Sequence, residues 1–215
     1  MERIGIFGGT FDPIHLGHMA AAQQAAEALK LSRVWFIPSG NPPHKRKARI
    51  TPAGLRYQMV RRALSGNPLF RAADLELRTS GASYTIDSLE AIRTRHPAAE
   101  LCLLMGLDQA ATLSSWKDPE RIFRICRVVV LSRPGFEVSQ IEPCWRRRVE
   151  FLPIRLLEIS ASDIRNRVRR GLSIKYLVPA GIEEIITRQG LYLASVSQNN
   201  GKGEKGLNEN ERKSR

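Results

Sequence analysis

Gly8-Gly9-Thr10-Phe11-Asp12-Pro13-Ile14-His15-Leu16-Gly17-His18 lies between the apolar run Arg3–Phe7 and the alanine-rich stretch Gly17–Leu31. The run is short and nearly continuous, as expected of a strand covered on both faces, and the stretch after it has the composition of a helix. The segment between them is therefore the turn of a strand-turn-helix unit, which is where open α/β sheets hold their ligands. Glycines let a ligand approach the backbone closely, and the first amides of a helix attract anions. Two histidines three apart near a helix start project to one side and can donate hydrogen bonds to one polyphosphate. Taken singly, Gly8-Gly9 reads equally well as a tight turn, and His15 or His18 as a structural side chain. Their joint position after the first strand favours phosphate. No metal site is expected, because no third His or Cys is nearby and Asp12 precedes a proline turn.

Working outward, Val34–Pro38, Leu101–Met105, Arg127–Ser132 and Val149–Pro153 also read as strands. Helical segments alternate with them. Ala53–Leu64 is expected to be capped by Thr51 with Pro52 as its first residue, and Ile86, Leu89 and Ile92 follow Thr85 at helical spacing. Asp118-Pro119 starts a short helix, and Ser160 caps a late one. The alternation predicts an α/β fold, a Rossmann-like parallel sheet flanked by helices, with a small helical C-terminal portion. One domain is expected over residues 1–194. From Ser195 to Arg215 only Val196 and Leu207 are large and apolar, so a disordered polar tail is expected there. Its Gly201-Lys202-Gly203-Glu204-Lys205-Gly206 satisfies G-x-G-x-x-G as a string, yet no strand precedes it and no helix follows, so it reads as a chance match.

The chain of 215 residues carries 34 Lys+Arg against 21 Asp+Glu, a net charge of +13. The tail holds five basic and three acidic residues, so the basic bias belongs to the body. Such charge suits a nucleic acid, but no helix-turn-helix, zinc-finger or aromatic RNP pattern accompanies it, and small anionic substrates need a positive cleft too. No run of eighteen apolar residues and no signal-peptide pattern occurs, so neither membrane nor secretion is expected. The three cysteines, Cys102, Cys126 and Cys144, have no C-x-x-C spacing, which fits a reducing cytoplasm.

A second constellation, Glu158-Ile159-Ser160-Ala161-Ser162-Asp163-Ile164-Arg165, places two hydroxyls and an arginine at a helix start. Ser160 with Asp163 is a sufficient account of a helix cap. Ser162, the first amides and Arg165 one turn later would also make an anion site, since a guanidinium can grip phosphate bidentately.

His15-Leu16-Gly17-His18 and Ile159-Ser160-Ala161-Ser162-Asp163-Ile164-Arg165 together resemble the two signatures of the nucleotidylyltransferase superfamily. From Met1 to about Leu193 the chain is similar to its bacterial nicotinate-nucleotide adenylyltransferase family. Pro42-Pro43-His44-Lys45, Ser83-Tyr84-Thr85, Gly106-Leu107-Asp108, Ser115-Trp116-Lys117, Arg133-Pro134-Gly135 and Tyr176-Leu177-Val178-Pro179 carry the likeness. Ala82 stands where that family usually has proline. The resemblance implies AMP transfer from ATP to nicotinate mononucleotide, with Mg²⁺ carried by the ATP phosphates. It implies catalytic roles for His15, His18, Lys45 and Arg165, and ATP contacts from Gly8, Gly9, Thr10, Phe11, Gly17, Ile159, Ser160 and Ser162. The acceptor would meet His44, Tyr84, Thr85, Asp108 and Trp116, with its ring on Trp116 and its carboxylate on amides near Thr85 and Trp116. The competing expectations are another adenylyltransferase, such as one acting on pantetheine phosphate, and a basic nucleic-acid-binding protein. A dinucleotide oxidoreductase is disfavoured because no G-x-G-x-x-G follows the first strand.

Overall fold

The computed structural model describes residues 1–41, 50–77, 81–132, 138–155 and 157–193. Strands β1 (Arg3–Gly9), β2 (Arg33–Pro38), β3 (Phe70–Ala72), β4 (Glu100–Gly106), β5 (Arg127–Ser132) and β6 (Glu150–Pro153) form one sheet in the order β3-β2-β1-β4-β5-β6. Every pairing is parallel, and Ile6 of β1 lies level with Trp35 of β2 and Leu103 of β4. The chain builds outward from β1 to β3, then returns to lay β4 on the other side of β1. The β1/β4 junction is thus the topological switch point, and its carboxyl end is the natural ligand crevice.

Alternation within the continuous apolar runs builds two cores. In β4, Cys102 and Leu104 face one layer while Leu101, Leu103 and Met105 face the other, and in β5 Val129 and Leu131 oppose Val128 and Val130 in the same way. The first layer contains α1 (Leu16–Ala28), α2 (Ala53–Leu64), α7 (Ala161–Arg169) and α8 (Ile182–Arg188), through Ala22, Ala25, Met59, Val60, Ile164, Ile182 and Ile186. The second contains α3 (Thr85–Arg95), α5 (Pro119–Ile125) and α6 (Pro143–Arg146), through Leu89, Ile92, Ile122 and Trp145. A one-turn helix, α4 (Leu107–Ala110), follows β4 directly. In the centre of β1, a Cβ on Gly5 would stand 2.7 Å from Leu31 Cδ1, so glycine is what lets this side chain reach the sheet.

The caps at Asp118 and Ser160 form as expected: Arg121 N donates to Asp118 Oδ1 at 3.3 Å, and Asp163 N to Ser160 Oγ at 3.0 Å. Thr51 does not cap α2. Pro52 occupies the N-cap position instead, because the Thr51 amide donates to Asp12 Oδ2 at 3.2 Å and its carbonyl accepts from Arg56 Nε at 2.8 Å. Helix α1 ends at Ala28 rather than Leu31. Lys30 turns left-handed at φ 52°, and Leu31 N–H closes back onto the Ala26 carbonyl at 2.9 Å, a Schellman stop made without glycine. Edge strand β3, three residues with only Phe70 buried, is too short to show a period of its own. The Ser195–Arg215 tail lies outside the described residues.

At the amino ends of β1, β4, β5 and β6, Arg3, Glu100, Arg127 and Glu150 alternate in sign across the sheet. Glu100 accepts from Arg3 Nε at 2.9 Å and from Arg127 Nη1 at 2.5 Å, and Arg127 also pairs with Glu150. The Arg127 contact, reinforced by Arg3, holds the Glu100 carboxyl below its usual range. Because the Arg127 side chain is 40% exposed, solvent screens the row strongly. Glu100→Gln should cost about 0.5–1 kcal/mol in urea unfolding at low ionic strength, and the loss should shrink in molar salt.

Candidate functional site

The site begins where β1 stops. Gly8 has open space above it, and a Cβ there would meet nothing within 4 Å. At Gly9 a Cβ would stand 3.0 Å from the Phe11 ring. Phe11, at φ 49° and only 2% exposed, shapes the cleft from behind rather than lining it. Its ring meets Phe7 at 5.9 Å and His18 at 5.0 Å between centroids, both edge-on.

His15 and His18 come together as a stacked pair, with ring centroids 3.6 Å apart and planes 26° apart. His15 stands at the N-cap position of α1 without a side-chain cap bond, and its backbone N–H donates to His18 Nδ1 at 3.3 Å. An imidazole nitrogen that accepts has no proton, so neutral His18 carries its proton on Nε2 and can donate from there. Burial pushes His15 down to about 4, and burial with the neighbouring His15 holds His18 well below its ordinary value. Both rings are neutral at pH 7. His15 Nδ1 is buried without a partner among the described residues. A Cβ on Gly17 would lie 3.1 Å from this nitrogen, so glycine in the His-x-Gly-His turn leaves room for the His15 ring.

Arg165 joins the late constellation to this turn. Its Nη1 donates to the Asp12 carbonyl at 2.7 Å and its Nη2 to Ser162 Oγ at 3.1 Å. The guanidinium is thus fixed at the rim of the β1–α1 turn, with further N–H groups left for a ligand. Ser160 is committed to capping α7, and Ile159 packs on the first core. The backbone also ties the start of α1 to the segment between α7 and α8, since Leu16 N donates to the Leu177 carbonyl at 3.0 Å.

The second half of the crevice lies at the ends of β2 and β4. Ser83 Oγ accepts from Asn41 N at 2.8 Å, so the hydroxyl ties the segment before α3 to the end of β2. Tyr84 and Thr85 start α3; the Asp87 amide closes back onto the Tyr84 carbonyl at 3.1 Å, which leaves the Thr85 and Ile86 amides without an acceptor inside the helix. Lys117 Nζ bonds Asp87 Oδ1 at 2.9 Å and sits 4.8 Å from the Tyr84 ring centroid, drawing the Trp116 segment onto α3. Trp116 is half-buried, with Nε1 donating to Thr112 Oγ1 at 3.2 Å. Its own amide donates to the Leu113 carbonyl at 3.0 Å and is not free for a carboxylate. Asp108 is exposed, its Oδ1 turned back over Gly106. His44, Lys45 and Arg133-Pro134-Gly135 lie outside the described residues.

Sequence reading missed Arg56, Tyr192 and the holding role of Asp12. Arg56, 1% exposed, donates to the carbonyls of Thr51, Thr10, Ser39 and Gly40 at 2.8, 2.7, 2.6 and 3.1 Å. A signal was present: Arg56 shares a helical face with Met59, Val60 and Ala63, where an arginine is out of place unless bonded. Glu76, pushed up by burial and opposed by contacts from the Gly40 amide, Ser83, Ser88 and Arg56, supports the same loop. No cluster of three or more His, Cys, Asp or Glu side chains suited to a metal occurs among the described residues.

The fold and this turn define a nucleotidylyltransferase: a cytidylyltransferase-like family model matches residues 6–167, and the chain belongs to that family. Within it the chain is a nicotinate-nucleotide adenylyltransferase family member. It is 47% identical over 197 residues to a protein of Thermomicrobium roseum named probable nicotinate-nucleotide adenylyltransferase, spanning 89% of this chain and 92% of that one. A protein of the same name from Clostridium tetani is 40% identical over 199 residues, covering 89% of this chain and all of its own length. The solved structure of Plasmodium falciparum nicotinic acid mononucleotide adenylyltransferase complexed with NaAD shares the fold at a TM-score of 0.74. The two are 20% identical, over 89% of this chain and 98% of that one.

The lowered pKa of His15 has a measurable consequence. An unfolded histidine takes up its proton near 6.5 whereas folded His15 does so only at about 4. The native state therefore loses stability as pH falls between these values and is unaffected above them, by about 3 kcal/mol in all. Urea unfolding across this window should show a steeper decline for the wild type than for His15→Gln; parallel curves would contradict the buried neutral ring.

Proposed function

We propose that this protein transfers the adenylyl group of ATP to nicotinate mononucleotide, giving nicotinate adenine dinucleotide and pyrophosphate. The observation that carries the reading is the neutral, stacked histidine pair at the carboxyl end of β1, with the His18 proton directed to Nε2 by the His15 amide. A phosphate oxygen of the mononucleotide attacks the α-phosphorus of ATP, and the bond from that phosphorus to pyrophosphate breaks. The nucleophile is already an anion, so no general base or covalent intermediate is required. Positioning and stabilisation of charge on the departing oxygens do the work.

His18 Nε2–H, His15 and the uncommitted N–H groups of Arg165 would face the triphosphate, with Lys45 assigned alongside them from the motif. Mg²⁺ would enter with ATP, ligated mainly by phosphate and water, and would screen the charge of its phosphates. For the acceptor, Trp116 supplies a stacking face, and the open amides at the start of α3 suit a carboxylate. Asp108 is assigned to a ribose hydroxyl or to the ion's water shell, and His44 and Tyr84 to the rim of this half. We extend the reading to a single catalytic domain, residues 1–194, with a dispensable tail. The described Cys102, Cys126 and Cys144 are free thiols, and no described helix is long and apolar enough to cross a membrane, features that fit a cytoplasmic enzyme on small-molecule substrates.

Pyrophosphate release from ATP and Mg²⁺, measured with each candidate acceptor, tests the assignment. Nicotinate mononucleotide should exceed nicotinamide mononucleotide by at least about 10²-fold in kcat/KM, because amide N–H donors that satisfy a carboxylate oppose a carboxamide NH₂. Equal use of both would overturn the nicotinate assignment, and preference for a pantetheine phosphate would replace it. His18→Ala should lower kcat by roughly 10²–10³ with the fold retained. Deleting Ser195–Arg215 should leave turnover and melting temperature unchanged, whereas a drop of several degrees would show that the tail belongs to the domain.

A further inference from the structure

We propose that Tyr192 is a positioning residue for the phosphate site, holding the β1–α1 turn in register through Asp12. The kinetic part of this inference rests on the adenylyl-transfer reading; the geometric part does not. Tyr192 lies 180 positions from Asp12, yet its hydroxyl donates to Asp12 Oδ1 at 2.6 Å. Asp12 is 5% exposed, and its other oxygen accepts from the Thr51 amide at 3.2 Å. The contact thus occupies a buried carboxylate facing the nucleotide turn, where an unmatched oxygen is costly.

Local structure is arranged to deliver this phenol. Helix α8 ends in a Schellman turn, with Gly190 at φ 57° and Leu191 N–H bonded to the Ile186 carbonyl at 2.9 Å. Tyr192 then takes φ 65°, a left-handed conformation that a bulky L-residue adopts only when its surroundings enforce it. Leu191 and Tyr192 both pack against the first core. Burial and the bond to Asp12 push the phenol well up, so it remains a donor throughout the working pH range.

From Asp12 the constraint reaches the reacting groups in two steps. Arg165 holds the Asp12 carbonyl at 2.7 Å and Arg56 the Thr10 carbonyl at 2.7 Å, so residues 10 and 12 are each pinned from outside the turn. Phe11 between them fills the space where a Cβ on Gly9 would stand and meets the His18 ring edge-on at 5.0 Å between centroids. A shift of Asp12 would therefore tilt Phe11 and move the His18 ring relative to the glycines. Misplacement of a catalytic donor affects the transition state more than ground-state binding, so the signature is a fall in kcat with KM retained.

Tyr192→Phe removes only the hydroxyl. We expect kcat with saturating MgATP and nicotinate mononucleotide to fall about 10-fold, with both KM values within about threefold of wild type. In an Asp12→Ala background the same substitution should change kcat less than about twofold, because its route has already been cut. Imidazole NMR signals of His18 in the substrate-free protein should shift or broaden in Tyr192→Phe. Wild-type kcat with only a lowered melting temperature would overturn the proposal, as would an undiminished kcat loss in the Asp12→Ala background. Should the wild type turn over no acceptor, the adenylyl-transfer reading fails and the imidazole spectrum alone decides: His18 signals unchanged by Tyr192→Phe overturn the positioning role. Should Tyr192→Phe not fold, Asp12→Asn probes the same contact with a weaker acceptor: lowered kcat at retained KM supports the proposal, and wild-type kcat overturns it.

Discussion

Where parallel strands end, their last carbonyls and those of the loops beyond lose ladder partners, and in this protein several of them converge on one guanidinium. Arg56 bonds the carbonyls of Thr10, Ser39, Gly40 and Thr51, which belong to the ends of β1 and β2 and to the entry of α2. Each bond to a charged donor is worth about 1.5–3 kcal/mol, and a buried carbonyl left without one loses a comparable amount. Burial works against the charge on Arg56, and the Asp12 and Glu76 carboxylates offset it. The crevice therefore rests on a buried cation whose compensating carboxylates come from the first turn and from the segment after β3.

That arrangement explains why the site can be both glycine-rich and well defined. Gly8 and Gly9 leave backbone accessible to a ligand, and by themselves they would leave it mobile. Rigidity is supplied from behind, by the Phe11 ring packed among Phe7, Phe36 and His18 and by the arginines gripping Thr10 and Asp12. Gly40 belongs to the same logic: a Cβ there would lie 2.2 Å from the Glu76 carbonyl oxygen, so the β2 loop can close on the Leu75–Leu77 turn only with glycine.

Most of the architecture was legible because it follows from periodicity. Doubly covered strands show as continuous apolar runs, and the His-x-Gly-His turn is identifiable because it falls directly after the first of them. What was not legible depends on long-range pairing. Thr51 looks like a helix cap from its neighbours, but Asp12 and Arg56 claim its backbone groups across the fold. Which amides near Trp116 are open to a ligand is likewise invisible locally, since the 3₁₀ turn at Leu113–Ser115 takes the Trp116 amide for its own closure. Arg56 was visible in pattern, as a charge on an apolar face, whereas the partnership of Asp12 with Tyr192 has no local signature. For such residues chemical type is readable from sequence and the partner is not.

The charge of the site is likewise divided between what is present before substrate and what substrate brings about. The arginines are permanent cations, and two of the nearest, Arg56 and Arg165, spend donors on backbone, so they shape the turn as well as its field. The histidines are the variable component. Stacked at 3.6 Å in a site where burial favours the neutral forms, they cannot both be charged in the free protein. A triphosphate entering over Gly8 would bring negative charge into that low-dielectric space and so favour the charged form of an imidazole with an open nitrogen. A donor whose positive charge grows as anionic charge accumulates on its acceptor contributes more in the transition state than in the empty site. The ring free to gain that charge is His15, whose Nδ1 has no partner among the described residues; the His15 amide bonded to His18 Nδ1 holds the second ring neutral and leaves its Nε2–H as the donor available to the phosphates.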